Sequence, residues 1–460
     1  MNVDDVKKLK YLDAFVWETM RLYPAVPANL KQAAEDDVLP DGTLIPAGTE
    51  IMYSPYYMGR NNTKLWGEDQ LVFRPERWLS MPRRPTAYEF PVFQGGPRIC
   101  PGMNMALLET KIFVAILLQK FHVKIQDGEQ VKDRPSATCL IVATTMVFPP
   151  VSQLPFTQVA TAAATILLTR VVILIASSIW RKMRAAKVLA PVPGPKGHFL
   201  VGMIPELIKN LHHLYDFQLD LMTKYGGRTK SPWSIFSNHV LYLADVADVE
   251  HVLSTNVNNW VRSDRMIAAL GELFGKSFLA LNHAHTADGG AMWRLQRKVV
   301  NRVFTTNNLK ALTEGIFSKY AVRIADLIVA EEGKCDMRQV SSQYTLQTAF
   351  DIICGVPLES FDDELGVKLI ESMDFVFSSI SLRGIAKPYL KYLWWCMPSE
   401  YRFRRESKVV TDLVDSILKR RLEESDDEIT KRSDLLSLFI KKARELEAEY
   451  GVILDIVTLR

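Results

Sequence analysis

FQGGPRICPG, residues Phe93–Gly102, sets Cys100 directly ahead of a helix-like run, MNMALLETKIFVAILLQKF. A cysteine just before a helix has backbone N–H groups and the positive end of the helix dipole near its sulfur, which favours thiolate over thiol. A thiolate is a strong metal ligand. Gly96 lets the loop turn, and Gly102 lets the backbone approach a flat group closely. Pro101 has no N–H to lose and suits a first helical position. Arg98 is within reach of an acidic group held over the same loop. One cysteine beside a helix would ordinarily be read as a buried core residue. Five spaced positions, Phe93, Gly96, Arg98, Cys100 and Gly102, with a helix behind them, point instead to a ligand loop.

FQGGPRICPG resembles the haem-binding loop of the cytochrome P-450 family. The resemblance implies haem b, with Cys100 as its axial thiolate ligand and Arg98 as a contact to a propionate. Phe93, Gly96 and Gly102 are the matching loop positions. It further implies a mainly α fold with a small β side. A thiolate axial ligand pushes electron density onto haem iron and favours O–O cleavage.

The rest of the composition is compatible with this. At 460 residues the chain allows one large domain or two or three smaller ones, and 48% hydrophobic residues are ample for a core. A net charge of +4 is too weak to argue for nucleic acid, but suits an acidic redox partner or an anionic lipid surface. The five cysteines are scattered, with no spacing that suggests a disulfide framework or a zinc site. They fit a reducing compartment.

Upstream of the loop, residues 3–22 read as a helix, with Val6, Leu9, Leu12, Val16 and Met20 at helical spacing. Glu18 and Arg21 lie i, i+3 on one face of it. Glu-x-x-Arg alone is commonly a solvated pair. Here FRPERW follows, with Arg77, in the order and spacing before Cys100 that the family has. The resemblance therefore implies a buried Glu18–Arg21–Arg77 network that fixes the scaffold. The intervening LPDGTLIPAGTEIMYSPYYMGRN reads as short strands with turns at Asp41-Gly42 and Ala47-Gly48. ATCLIVATTMVFPP reads as a strand or hairpin. Residues 1–150 thus resemble the C-terminal haem-binding part of the family.

Residues 156–178, FTQVATAAATILLTRVVILIASS, are mostly apolar and suit a bilayer span of ~20 residues. Arg170 near the middle costs about 2.5–3.5 kcal/mol on insertion scales. A buried core helix or an interfacial helix is the alternative. WRKMRAAK follows, with Trp180 at the interface and Arg181, Lys182, Arg184 and Lys187 as a cytosolic flank. The proline hinge PVPGPKG comes next. In this order the segments resemble the N-terminus of a microsomal family member. Residues 156–180 are then a single-pass anchor in the endoplasmic reticulum membrane, and 181–460 the N-terminal part of the fold.

Further on, residues 204–225 look helical, and LYLADVADVEHVLST looks like a strand entering a helix. AMWRLQRKVVNRVF places Trp293 and Arg297 at i, i+4 on one helical face. The match to the family's Trp-x-x-x-Arg helix implies propionate contacts. KPYLKYLWWCMP, residues 387–398, falls where the family touches membrane and substrate entrance, or is plain core. Residues 400–449 read as charged helices with solvated faces. WRLQRK together with FQGGPRICPG is most similar to the fatty-acid ω-hydroxylating branch.

The halves stand in permuted order, like the tail of one family member joined to the head of another. The family's central helix, with an Ala/Gly-Gly-x-Asp/Glu-Thr motif whose acid and alcohol supply protons for oxygen activation, has no counterpart in this sequence. A span at 156–178 would put residues 1–150 across the membrane from 181–460, ~30 Å away, and keep Cys100 from Trp293 and Arg297. Two readings follow. One is a haem-thiolate monooxygenase that inserts one oxygen atom from dioxygen into a lipophilic substrate, with electrons from NADPH through a cytochrome P-450 reductase. The other is a membrane-tethered fragment without catalysis. The missing motif predicts no coupled hydroxylation by the chain alone.

Overall fold

The computed structural model describes residues 3–124 and 170–450, apart from 171–172, 174–175, 199, 211–212, 235–237, 331–334, 358–362, 387–397 and 433. The expected strand after the Cys100 helix, most of the 156–180 anchor and nearly all of KPYLKYLWWCMP lie outside these residues. Among the described residues, no helix is long and apolar enough to cross a membrane.

The molecule is mainly helical, with one five-stranded sheet in the order β5-β6-β4-β1-β7. The strands are β1 (Asn29–Ala33), β4 (Glu50–Tyr53), β5 (Thr229–Lys230), β6 (Val240–Leu243) and β7 (Trp260–Val261). β2 (Asp37–Val38) and β3 (Leu44–Ile45) pair separately. The sheet interleaves the two halves of the chain. β4 runs parallel to β6, with Glu50 opposite Val240 and Tyr53 opposite Leu243, while β1 runs antiparallel to both β4 and β7. All four residues of β4 and of β6 are buried, as expected for central strands covered on both faces.

Packing also joins the halves. The helix Met103–Lys120 buries Leu108, Ile112, Phe113, Ile116 and Leu117. Its Ile112, Phe113 and Ile116 pack on Phe317, Tyr320 and Ile324 from the second half. Phe113 stacks on Tyr344 with ring centres 4.5 Å apart. The expectation that a membrane span holds the halves apart is corrected by this shared sheet and core.

Other expectations shift in detail. Residues 3–22 form two helices, Val3–Lys8 and Lys10–Leu22, that break at Leu9, whose ψ of 66° leaves the helical region. Residues 204–225 likewise divide into Ile204–Lys209 and Leu214–Lys224. In the charged C-terminal region, Pro398–Leu422 turns Phe403, Val410 and Ile417 inward onto Leu369 and Val376.

Candidate haem site

Glu18 and Arg21 are both fully buried one turn apart on the helix Lys10–Leu22. Arg21 grips Glu18 with two parallel hydrogen bonds of 2.8 Å. Trp78 Nε1 and the Arg74 backbone N–H donate to the same carboxylate, each at 2.8 Å, and Arg77 Nε reaches it at 3.5 Å. Arg77 also donates to Asp69 at 2.9 Å. Burial alone would raise the pKa of Glu18. The donors from Arg21, Arg74 and Trp78 outweigh it and hold the carboxyl below its usual range. Gly59 is required here, because a Cβ would sit 2.2 Å from the Arg21 carbonyl oxygen. Glu18, Arg21 and Arg77 thus stand together.

The loop that carries Cys100 is pinned from several sides. Cys100 N–H donates to the Phe93 carbonyl at 2.8 Å, and a single turn, Gly96–Arg98, lies between them. Gly96 has φ +57°, and a Cβ there would lie 1.9 Å from the Leu253 carbonyl oxygen of the second half. Tyr53 of β4 donates to the Gln94 side chain at 2.5 Å. The helix begins at Met103, two residues later than Pro101 suggested, with Gly102 at its N-cap. The expected thiolate bias is also corrected. Burial pushes the half-buried Cys100 thiol up, and the Gly102 N–H and the Arg297 charge only partly offset it. Without a metal the group is a thiol, and ligation would have to displace its proton.

Beside this loop stands a cluster of cations drawn from both halves. Arg98 is buried; it donates to the Leu281 carbonyl at 2.9 Å and lies 4.8 Å from the centre of the Trp293 ring. Arg98 Nε also donates to His283 Nδ1 at 3.2 Å, while His283 Nε2 faces the Val257 carbonyl at 2.9 Å. That network assigns the neutral ring with its proton on Nε2. Burial, reinforced by Arg98, pushes His283 down to about 4. Arg297, four residues after Trp293, donates to the Ile99 carbonyl next to Cys100. Lys31 on β1 is 4% exposed, and Arg262 directly follows β7. Burial, then the Arg98 and Arg262 charges, holds Lys31 far below the usual lysine range. Burial with Arg262 and Arg297 takes Arg98 down to about 9.

Among the described residues, no carboxylate pairs with Lys31, Arg98, Arg262 or Arg297. Arg262 Nε and Trp293 Nε1 are buried without a partner. Like charges massed in a low-dielectric region call for an anion. The two propionates of a haem, with its iron toward a cysteine, fit this set. Lys31, Arg262 and His283 were missed in the sequence, where each sits alone on a separate strand or loop.

The sequence pattern of the cytochrome P-450 family matches residues 1–148 and 192–453. The chain belongs to the cytochrome P-450 family, whose cofactor is haem with thiolate-ligated iron. It is 42% identical over 137 residues to cytochrome P-450 86B1 of Arabidopsis thaliana, covering 29% of this chain and 24% of that protein. It is 43% identical over 151 residues to cytochrome P-450 94B3 of the same plant, covering 31% and 29%. A cytochrome P-450 of Helianthus annuus is 41% identical over 139 residues, covering 30% of this chain and 89% of that protein. The chain thus spans about a quarter of the length of the two Arabidopsis relatives.

Proposed function

We propose that the chain is a haem-thiolate monooxygenase acting on a lipophilic substrate, with long-chain fatty acid ω-hydroxylation as the substrate reading. The observation that carries this is Cys100 beside Lys31, Arg98, Arg262 and Arg297, a cluster that no carboxylate pairs with among the described residues. Bound haem would supply the redox chemistry for inserting one atom of dioxygen into a C–H bond, with electrons from NADPH through a cytochrome P-450 reductase. Cys100 would ligate the iron. Arg98, Trp293, Arg297, Lys31 and Arg262 would hold the propionates, and Phe93, Gly96 and Gly102 would shape the loop. Glu18, Arg21 and Arg77 would keep the scaffold rigid.

An apolar cavity of about 460 Å³ supports the substrate class. Leu273, Phe274, Phe350, Phe377 and Val414 line it, together with Gln296 from the same helix as Arg297. That volume and lining suit a small lipophilic ligand. Among the described residues no basic side chain lines it, so an alkyl chain, not its carboxylate, would lie inside. An anchor at 156–180 would place this cavity at the endoplasmic reticulum membrane, where such substrates partition.

A second reading is a haem-binding chain without turnover. It rests on the absence of the acid–alcohol motif from the sequence and on a second apolar groove of about 1440 Å³. That groove lies open between the helices Lys10–Leu22, Met103–Lys120 and Met337–Cys354. Product formed per NADPH consumed, with haem, reductase and a long-chain fatty acid, separates the two. Coupled product that is lost in Cys100→Ser supports the first reading. A thiolate-type spectrum without product supports the second.

A further inference from the structure

Asp37 of β2 is buried, and its carboxylate accepts two hydrogen bonds on each oxygen. Oδ1 takes the Val38 N–H at 2.8 Å and Asn256 Nδ2 at 2.9 Å. Oδ2 takes His251 Nε2 at 3.0 Å and Trp260 Nε1 at 2.7 Å. An ionised carboxylate only accepts, so the contact assigns a proton to His251 Nε2. Burial alone would raise the pKa of Asp37, but the donors from His251, Val38 and Asn256 outweigh it and hold the group below its usual range.

The three side-chain donors come from the second half of the chain and bracket one segment, 251–260. It opens on a single π-helical turn, His251–Thr255, closed by the Asn256 N–H on the His251 carbonyl at 2.9 Å. Such turns are rare and stand frequently at functional sites. Asp37 thus grips both residues that close the turn, and also Trp260, where β7 begins.

The same segment meets the candidate haem site at two places. The Leu253 carbonyl oxygen stands where a Cβ on Gly96 would be 1.9 Å away, and Leu253 Cδ1 lies 3.3 Å from the Cβ position of Gly95. Both glycines belong to the loop that ends at Cys100. The Val257 carbonyl takes His283 Nε2 at 2.9 Å, and His283 Nδ1 takes Arg98 Nε at 3.2 Å. Close packing transmits displacement, so a shift of 251–260 would move the Cys100 loop and the Arg98 partner together.

We propose that Asp37 is a positioning residue for the iron ligand: by holding His251, Asn256 and Trp260 it fixes the Leu253 carbonyl against Gly96, and with it the place of the Cys100 sulfur. The proposal rests on Cys100 as the ligand. A purely structural carboxylate would affect stability and leave the environment of Cys100 unchanged.

Two measurements on the full chain test it. In the haem-free protein, the rate at which a small aromatic disulfide modifies Cys100 is taken as the difference from the matching Cys100→Ser protein, which subtracts the other cysteines. In the haem-loaded protein, the ferrous carbon monoxide spectrum reports the thiolate. Asp37→Asn keeps the side-chain shape and replaces an acceptor oxygen with a donor. It should speed modification of Cys100 by about tenfold and lose part of the thiolate-type band. Combined with Gly96→Ala it should add little, because both substitutions act at one contact. His251→Leu removes one donor and should speed modification to a smaller extent, while His251→Gln restores an N–H and should return the rate to that of wild type. This second pair decides the matter if Asp37→Asn does not fold. Wild-type rate and spectrum in folded Asp37→Asn, equal rates in the two His251 variants, or additive effects with Gly96→Ala would each overturn the proposal. A wild type that lacks the thiolate-type band would instead refute Cys100 as the ligand, and the haem-free rates would still judge whether Asp37 positions its loop.

Discussion

The Arg98 guanidinium lies 4.8 Å from the centre of the Trp293 ring, and the two residues come from opposite halves of the chain. Arg297, one turn beyond Trp293, reaches the carbonyl of Ile99, the residue before Cys100. The long separation of these segments in the chain therefore does not keep the Cys100 loop from the Trp293–Arg297 helix. One sheet, β5-β6-β4-β1-β7, and one apolar contact around Ile112 and Phe317 hold them together.

Glu18→Gln removes the charge that Arg21 and Arg77 share in a buried site. Arg21 would then lie in a dry region without a counter-charge, while Arg77 would keep only its pair with Asp69. A loss of about 3–5 kcal/mol in unfolding free energy is expected. Urea titration of the variant against wild type measures it, and a change near zero would mean the network is solvated.

Lys31→Met tests the cationic cluster in the opposite sense. In the haem-free chain the substitution removes a buried charge from a set that has no carboxylate partner among the described residues. It should stabilise by roughly 1–3 kcal/mol. The folded-state pKa of Lys31 lies below its unfolded value, so its stability cost is absent above the unfolded value near 10.5 and grows as pH falls. The variant should lose that slope and should also bind haem more weakly. Haem titration beside urea unfolding reads both, and a destabilised variant with unchanged haem affinity would argue against the assignment.

Glu109→Gln gives a pH-dependent effect. Burial raises the Glu109 carboxyl to about 7, against a smaller opposing hydrogen bond from Thr348 at 2.5 Å. A folded-state pKa above the unfolded value of 4.5 means that folding holds an extra proton between the two. Stability from this residue is intact below about pH 4.5, falls as pH rises to about 7, and is level above that. The variant should match wild type near pH 4.5 and exceed it by ~2–3 kcal/mol at pH 8. Equal stability of the two proteins at pH 8 would show that the carboxylate is solvated.

Gly96→Ala forces a Cβ against the Leu253 carbonyl at a φ of +57°. A non-glycine in such a conformation costs about 1–3 kcal/mol before any clash. The expected outcome is a displaced Cys100 loop, seen as weaker haem retention on gel filtration. Normal retention would place the loop's rigidity elsewhere.

How much of this is legible in the sequence depends on where each residue's partners come from. Glu18 and Arg21 are one turn apart and Arg77 lies in a motif of its own, and it is the family resemblance carried by their order before Cys100 that implies the network. Trp293 and Arg297 share a helical face by their local spacing. Lys31, Arg262 and His283 carry no such signal. Lys31 is buried because β1 pairs with β4 and β7, with Gln32 opposite Val261, and that pairing joins segments more than two hundred residues apart. Nor does local sequence give the protonation state of Cys100. The helix that follows favours thiolate, but burial by distant elements wins. The break at Leu9 escapes helical periodicity because the apolar spacing runs through it unchanged.

The most direct test of the account is the absorption spectrum of the ferrous carbon monoxide complex of the haem-loaded chain, recorded for wild type and Cys100→Ser. Cys100 stands beside the cationic cluster, and serine offers no thiolate. The wild type should show the thiolate-type band, and Cys100→Ser should lack it. Persistence of that band in the variant would contradict Cys100 as the ligand.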